Sequence, residues 1–246
     1  MKKILAILFL NLFGAGLLFS FLDSAGHALW QQVDNAVFLF FNRLLTPGSF
    51  FLYLTAISNV RAFDAVSFIC MALLYSAYFR RADAQGKRRM LVVGLLMLTT
   101  AVMIKQCSDF YPITHPSPTR LAWQEPINRI SQLTDFGAKD NDANSFPGDH
   151  GMMLMVFAAF MARYHGRKAF AASALIVVLF AMPRIMGGGH WFSDVYMGSL
   201  ATVCLLCPWV LLTPLSDWLV ARLAPFVPGF LTAKCLGNGS EGAHKA

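Results

Sequence analysis

Charge is what this 246-residue chain has least of. Asp, Glu, Lys and Arg make up 13% of it, against about a quarter in ordinary soluble domains. Hydrophobic residues make up 57%. Length and composition together fit one membrane-embedded domain of several helices and leave no room for a second large soluble one. Acidic residues are the scarcer sign, 13 against 20 basic, for a net charge of +7. The basic residues sit in short loops between apolar segments, not on one contiguous face, which argues against a nucleic-acid partner. Cysteine is sparse as well: five residues with no spacing that makes a disulfide framework. Cys204 and Cys207 form a C-x-x-C, but in an apolar run without a second pair, so packed thiols are expected there. No cluster has the ligand spacing of a metal site, and neither metal nor cofactor is expected. Internal repeats and low-complexity tracts are absent too.

What the chain does have is long apolar runs. Six can be drawn, at approximately 4–22, 63–79, 90–106, 150–164, 169–187 and 195–213. A membrane span needs about 20 residues, with some tolerance. The fourth run is the weakest by hydropathy and is extended back to Pro147, a residue suited to the first turn of a helix. The expected fold is all-α: a polytopic membrane protein of six transmembrane helices in a single domain, 1–246. Its core covers about 60–215, and a flexible tail covers 229–246. With the amino terminus cytoplasmic, 13 of the 20 Lys and Arg fall inside, including five in the loop Arg80–Arg89 and three in Arg163–Lys168. The first run is read as a retained span, since it is longer than a signal-peptide core and no A-x-A site follows. Residues 23–62 then lie outside. Within them, Val33–Leu45 either lies flat in the interface as an amphipathic helix or forms a re-entrant or packed segment. Residues 107–149 form the largest outer loop, a length that points to function.

The chemistry concentrates between Pro183 and Asp194. Arg184, His190 and Asp194 fall within twelve residues at the junction of two apolar runs, where charge is costly unless it has a function. His190 and Asp194 are four positions apart, one turn if the segment is helical. A carboxylate there can hold one imidazole nitrogen and leave the other free as a nucleophile. Arg184 offers a planar fork of donors suited to phosphate, and Gly187-Gly188-Gly189 lets backbone amides approach an anion. In the six-span topology two further clusters reach the same outer mouth. One is Ser145–His150, at a helix start whose free amides suit phosphate. The other runs from Lys105 through His115 to Arg120. Convergence of three distant clusters on one side of the membrane points to phosphoryl transfer through histidine. Trp123, Trp191 and Trp209 are read as interfacial aromatics, and Met152, Met153 and Met155 as helix packing. Arg61 and Asp64 either pair with each other or touch substrate.

This pattern resembles the type-2 phosphatidic acid phosphatase superfamily, whose three-part signature is K-x6-R-P, P-S-G-H and S-R-x5-H-x3-D. The third part matches as Arg184, His190 and Asp194, with Pro183 in place of serine. The second matches as Pro147-Gly148-Asp149-His150, with both middle residues changed. In the first, His115-Pro116 takes the place of Arg-Pro, and Lys105 lies ten residues before His115 instead of seven. The strings SFPGDHGMMLM, RAFD, HWFSD and PWVLLTPLSD resemble the bacterial lipid A 1-phosphate phosphotransferase branch, a likeness that runs from about residue 4 to 218.

The resemblance implies an inner-membrane enzyme with its active site on the periplasmic face, undecaprenyl diphosphate as donor and lipid A as acceptor. It implies His190 as nucleophile, Asp194 as its orienting carboxylate and His150 as general acid. Arg184 would bind phosphoryl oxygens, and Gly148 and its neighbours would supply backbone donors. Lys105, His115 and Arg120 are candidate diphosphate contacts. Asp149, a carboxylate beside a phosphate, is expected to point away, pair with a base or hold His150 protonated. A lipid diphosphate phosphatase using water is the alternative, and a non-catalytic lipid-phosphate binding or transport protein is a third reading.

Overall fold

The structure, a computed structural model, describes residues 1–231. Of the expected tail, only Gly229–Leu231 falls within them, as a short 3-10 turn; the rest, with Cys235, lies outside the described residues. The helices, in chain order, are α1 (Lys2–Leu22), α2 (Ser24–Leu44), α3 (Phe50–Ser58), α4 (Arg61–Arg81) and α5 (Ala84–Ser108). A four-residue α6 (Ile130–Leu133) lies in the long loop. Then follow α7 (Asp149–His165), α8 (Arg167–Met186), α9 (Leu200–Leu211), which is entered through a π-helical turn Asp194–Ser199, and α10 (Pro214–Leu223). Among the described residues there is no strand, only an isolated bridge between Val60 and Ala138.

All six expected apolar runs fold as helix. Five helices are long and apolar enough to cross a membrane: Lys2–Leu22, Arg61–Arg81, Ala84–Ser108, Arg167–Met186 and Asp194–Leu211. The sixth, α7, has 17 residues and a length of about 26 Å, short of the roughly 30 Å hydrocarbon thickness. Its mixed composition reflects its place. Nine of its residues are buried, and it packs along α8, α9 and α5 at the centre of the bundle. Met152 and Met155 are part of that core, as read from the sequence, whereas Met153 is exposed and turned to a cavity.

Residues 23–62 hold two helices, not one loose segment. Asp23 caps α2 by accepting from Ala25 N and Gly26 N. The helix then buries Asp34, Phe38 and Asn42, a stripe at i, i+4 and i+8 that seats one face on the bundle. Val33–Leu45 therefore packs.

α1 lies along α9. Pro208, inside α9, has no N–H and so leaves the carbonyl of Cys204 without its helical donor. Asn11 of α1 supplies one: its Nδ2 donates to Cys204 O at 3.1 Å and to Leu205 O at 3.2 Å, while its Oδ1 accepts from Trp209 Nε1 at 2.9 Å. Cys204 and Cys207 are both buried free thiols.

The helices alternate in direction, so the molecule has two chemically distinct ends. At one end Lys3 and Arg163 meet Asp217 at 3.8 and 2.8 Å. The basic turns between α4 and α5 and between α7 and α8 lie at that end. At the other end the starts of α4 and α7 meet the ends of α5 and α8.

Candidate active site

Arg184 and His190 are joined through the backbone. The carbonyl of Arg184 accepts from Gly189 N at 3.0 Å and from His190 N at 3.1 Å. This closes the end of α8 into a tight turn and aims both side chains at one cavity of about 340 Å³. The turn needs its glycines: Gly188 has φ +73°, and a Cβ on Gly189 would lie 2.4 Å from Lys139 O. His190 is therefore in a turn and not on a helix, and the one-helical-turn premise does not hold.

His190 Nδ1 lies 2.8 Å from the carbonyl of Ser145. A carbonyl only accepts, so Nδ1 carries the proton and Nε2 keeps its lone pair toward the cavity. Asp194 is wholly buried, and its nearest oxygen is 3.7 Å from His190 Nδ1, beyond hydrogen-bond range. Its own bonds go elsewhere: Oδ2 accepts from Trp191 N at 2.8 Å, and Oδ1 meets His115 Nδ1 at 2.8 Å. Asp194 thus acts on His190 as a nearby charge and as the anchor of its turn. Ser145, in turn, is tied to the long loop, its N–H and Oγ donating to His115 O at 2.7 and 2.9 Å.

His150, in the first turn of α7, lines the same cavity as His190 and Arg184. The start of α7 is stapled to the start of α9. Gly148 N donates to Asp194 O at 3.0 Å, and Ser199 Oγ donates to Gly148 O at 2.8 Å and to Asp194 O at 3.1 Å. Ser199 closes the wide π-helical turn, a form often found at functional sites. The expectation that Gly148 offers its amide to phosphate is corrected here: that N–H is spent on Asp194.

Arg184 is 5% exposed. Its Nη1 donates to Asn59 O at 3.2 Å, and its Nη2 pairs with Asp64. Asn59 is held in place by donating to Pro183 O at 2.6 Å. Asp64 also accepts from Lys139 Nζ at 2.7 Å and lies 3.9 Å from His150 Nδ1. Asp64 thus gathers Arg184, Lys139 and His150 on one wall and does not pair with Arg61. Lys139 was missed by motif reading because it reaches the wall through the loop: its N–H bonds Asn59 O at 3.1 Å, beside the bridge of Val60 to Ala138.

Lys105 also lines the cavity, paired with Asp109 and 3.6 Å from Asp149. Of the expectations for Asp149, pairing with a base is what occurs. His115 and Arg120 do not line this cavity. His115 lies behind the site on Asp194, stacked on Trp191 at 5.5 Å. Arg120 is exposed. Trp191 is also not interfacial: it is 3% exposed, and its Nε1 donates to Pro116 O at 2.8 Å.

A second carboxylate backs the site. Asp34 of α2 accepts from Ser193 N at 2.8 Å and from Ser193 Oγ, and so fixes the residue next to Asp194. Burial raises its pKa from 3.8 to about 6, with the two Ser193 hydrogen bonds offsetting part of that rise. No group of three His, Cys, Asp or Glu among the described residues is arranged to hold a metal ion.

Residues 114–218, which contain Lys139, Ser145, His150, Arg184, His190 and Asp194 but not Asp34, Asn59, Asp64 or Lys105, match the PAP2 superfamily. Over 229 residues the chain is 42% identical to lipid A 1-diphosphate synthase of Escherichia coli (strain K12), covering 93% of this chain and 96% of that one. The chain belongs to the PAP2 superfamily. The crystal structure of a transmembrane PAP2-type phosphatidylglycerolphosphate phosphatase from Bacillus subtilis aligns with a TM-score of 0.47 and 17% identity, over 93% of this chain and 98% of that one. In this PAP2 chain the superfamily's second and third motifs meet at the cavity, and the place of the first is taken by a histidine that braces Asp194.

Proposed function

We propose that this protein is a phosphotransferase of the bacterial inner membrane. It would move the terminal phosphate of undecaprenyl diphosphate to the 1-phosphate of lipid A, giving lipid A 1-diphosphate and undecaprenyl phosphate. The observation that carries this reading is the pairing of an Nε2-free His190 with Arg184 and His150 around one cavity, in a chain 42% identical to a lipid A 1-diphosphate synthase. The orientation proposed is six spans with the cavity at the periplasmic face. It is supported by the gathering of Lys3, Arg163 and the basic turns at the opposite end.

In the first step His190 Nε2 attacks the terminal phosphorus. A P–N bond forms and the bond to the bridging oxygen breaks, its electron pair leaving with undecaprenyl phosphate. His150 gives that oxygen its proton. The imidazole then carries a positive charge, which the Asp194 carboxylate at 3.7 Å stabilises. Arg184, with donors left over from Asn59 and Asp64, holds the equatorial oxygens, and Lys139 and Lys105 add positive charge. In the second step an oxygen of the lipid A 1-phosphate attacks the phosphohistidine, the P–N electron pair returns to Nε2, and His150 takes up a proton from solvent to restore the starting state. That nucleophile is already anionic, so it needs no base to activate it; water would need one.

Purified protein given labelled undecaprenyl diphosphate, with and without lipid A, tests this directly. The label should appear on lipid A. Free phosphate as the major product in both reactions would assign the protein to the hydrolases instead.

A further inference from the structure

We propose that His115 is a positioning residue of the His190 centre, and that it competes with His190 for the negative charge of Asp194. A proton on His115 then disfavours the phosphohistidine, and phosphate on His190 loosens the proton on His115. The inference rests on the phosphohistidine reading given above and adds a second histidine that does not touch substrate.

Two paths lead from His115 to His190. The first runs through the ring: Nδ1 lies 2.8 Å from Asp194 Oδ1, and the other carboxylate oxygen lies 3.7 Å from His190 Nδ1. An ionised carboxylate only accepts, so His115 Nδ1 donates. The second runs through the backbone. The carbonyl of His115 accepts from Ser145 N and Oγ at 2.7 and 2.9 Å, and the carbonyl of Ser145 accepts from His190 Nδ1 at 2.8 Å. The ring itself is held in place. It stacks on Trp191 at 5.5 Å and meets the edge of Phe21 at 5.4 Å, while the His115 N–H donates to Asn144 Oδ1 at 2.9 Å.

Charge makes the two histidines rivals. Asp194 is wholly buried, and its ion pairs among the described residues are with His115 and His190. A buried carboxylate with one imidazolium forms a neutral pair. With an imidazolium on each side it leaves excess positive charge where water screens poorly. The small cavity of about 130 Å³ that His115 borders supplies no lysine or arginine; α2 contributes His27, Gln31 and Asp34 to it, and α1 contributes Phe21. Asp34 is already taken by Ser193 N and Oγ. The His115 side chain is partly exposed, so with Nδ1 held by Asp194 its Nε2 exchanges protons with water. When phosphate reaches His190 Nε2 and its ring becomes cationic, a proton on His115 Nε2 leaves to water, and the N–H electron pair stays on nitrogen. It returns when lipid A takes the phosphate.

The test uses the full chain with donor and no lipid A, so that phosphoenzyme and undecaprenyl phosphate come to equilibrium with enzyme and donor. Acid-labile label on His190 is measured from about pH 5 to 8. His115→Asn keeps an N–H for Asp194 and cannot become charged. Across that range the equilibrium constant for phosphoenzyme should rise about tenfold more in the wild type than in His115→Asn, since phosphate on His190 makes His115 hold its proton about tenfold less tightly. Asp34 and His150 titrate in both proteins, so their effects cancel in the comparison. A purely structural His115 would lower the yield equally at every pH, and parallel curves overturn the inference. Should the variant fold poorly, histidine ¹⁵N spectra of the wild type read the same coupling: His115 should titrate at lower pH when His190 carries phosphate, and an unmoved titration overturns the inference. Wild type that takes no label on His190 overturns the phosphohistidine reading as well; label with parallel curves overturns this inference alone.

Discussion

Ser145 contributes only a carbonyl oxygen to the site, yet that oxygen decides which nitrogen of His190 is free. Such a contact is invisible in a motif, because any residue has a carbonyl. The same holds for Asn59 O on Arg184. Arg184, His190, Asp194 and His150 were legible because a fixed short spacing brings unlike chemistries together. Asp64 and Lys139 were not assigned, because only the folded loop brings them to Arg184. His115 meets Asp194 and does not line the cavity, a placement that spacing alone does not reveal. In the proposed reaction Arg184 serves Asn59, Asp64 and the substrate at once, which needs a planar fork and not a point charge. Arg184→Lys should therefore lower transfer by about a hundredfold or more, measured as kcat with protein amount and fold held equal. Asp34 gives a second prediction at this scale. Its carboxyl titrates near 6 in the folded protein against 3.8 ordinarily. The fold thus favours the protonated form, and its contribution is complete below about 4 and lost as pH rises through about 6. Asp34→Asn keeps an acceptor for Ser193 N and removes the titration. The stability of the wild type relative to Asp34→Asn, read by thermal unfolding, should fall as pH rises through that window, by on the order of 2–3 kcal/mol.

Single helices show where periodicity was informative and where it was not. Long apolar runs announced α1, α4, α5, α8 and α9. The helix α7 was faint, because a central helix bordered by site residues need not be uniformly apolar. The helix α2 was the least legible: its role depends on Asp34, Phe38 and Asn42 meeting partners far along the chain. Asn11 is another residue whose meaning appears only in the packing of two helices. Asn11→Ala leaves the Cys204 carbonyl without a donor and should cost about 1–3 kcal/mol of stability. Pro208→Ala restores the helical N–H that Cys204 lacks. In the Asn11→Ala background it should recover part of the loss, while a recovery no larger than Pro208→Ala brings alone would argue against the coupling. The readout is thermal unfolding of the four proteins in one detergent.

At the scale of the whole molecule, alternation of helix direction separates a basic end from the end that holds the His190 cavity. The charge count over short loops was enough to anticipate that polarity; the way two lipids reach one cavity was not, because it depends on the space between helices. Cys107 is an exposed free thiol two residues past Lys105, so it reports the site end, and Gln85→Cys reports the basic end. A membrane-impermeant thiol reagent applied to spheroplasts should label Cys107 and leave Gln85→Cys untouched until the membrane is broken. The opposite pattern would reverse the proposed orientation. The central claim is a covalent phosphate on His190, and the most direct measurement is to quench the enzyme early with donor labelled at its terminal phosphate and map the label on the protein. Acid-labile, base-stable phosphate on His190, absent from His190→Ala, is the expected result; full transfer by His190→Ala, or label trapped on another residue, would contradict it.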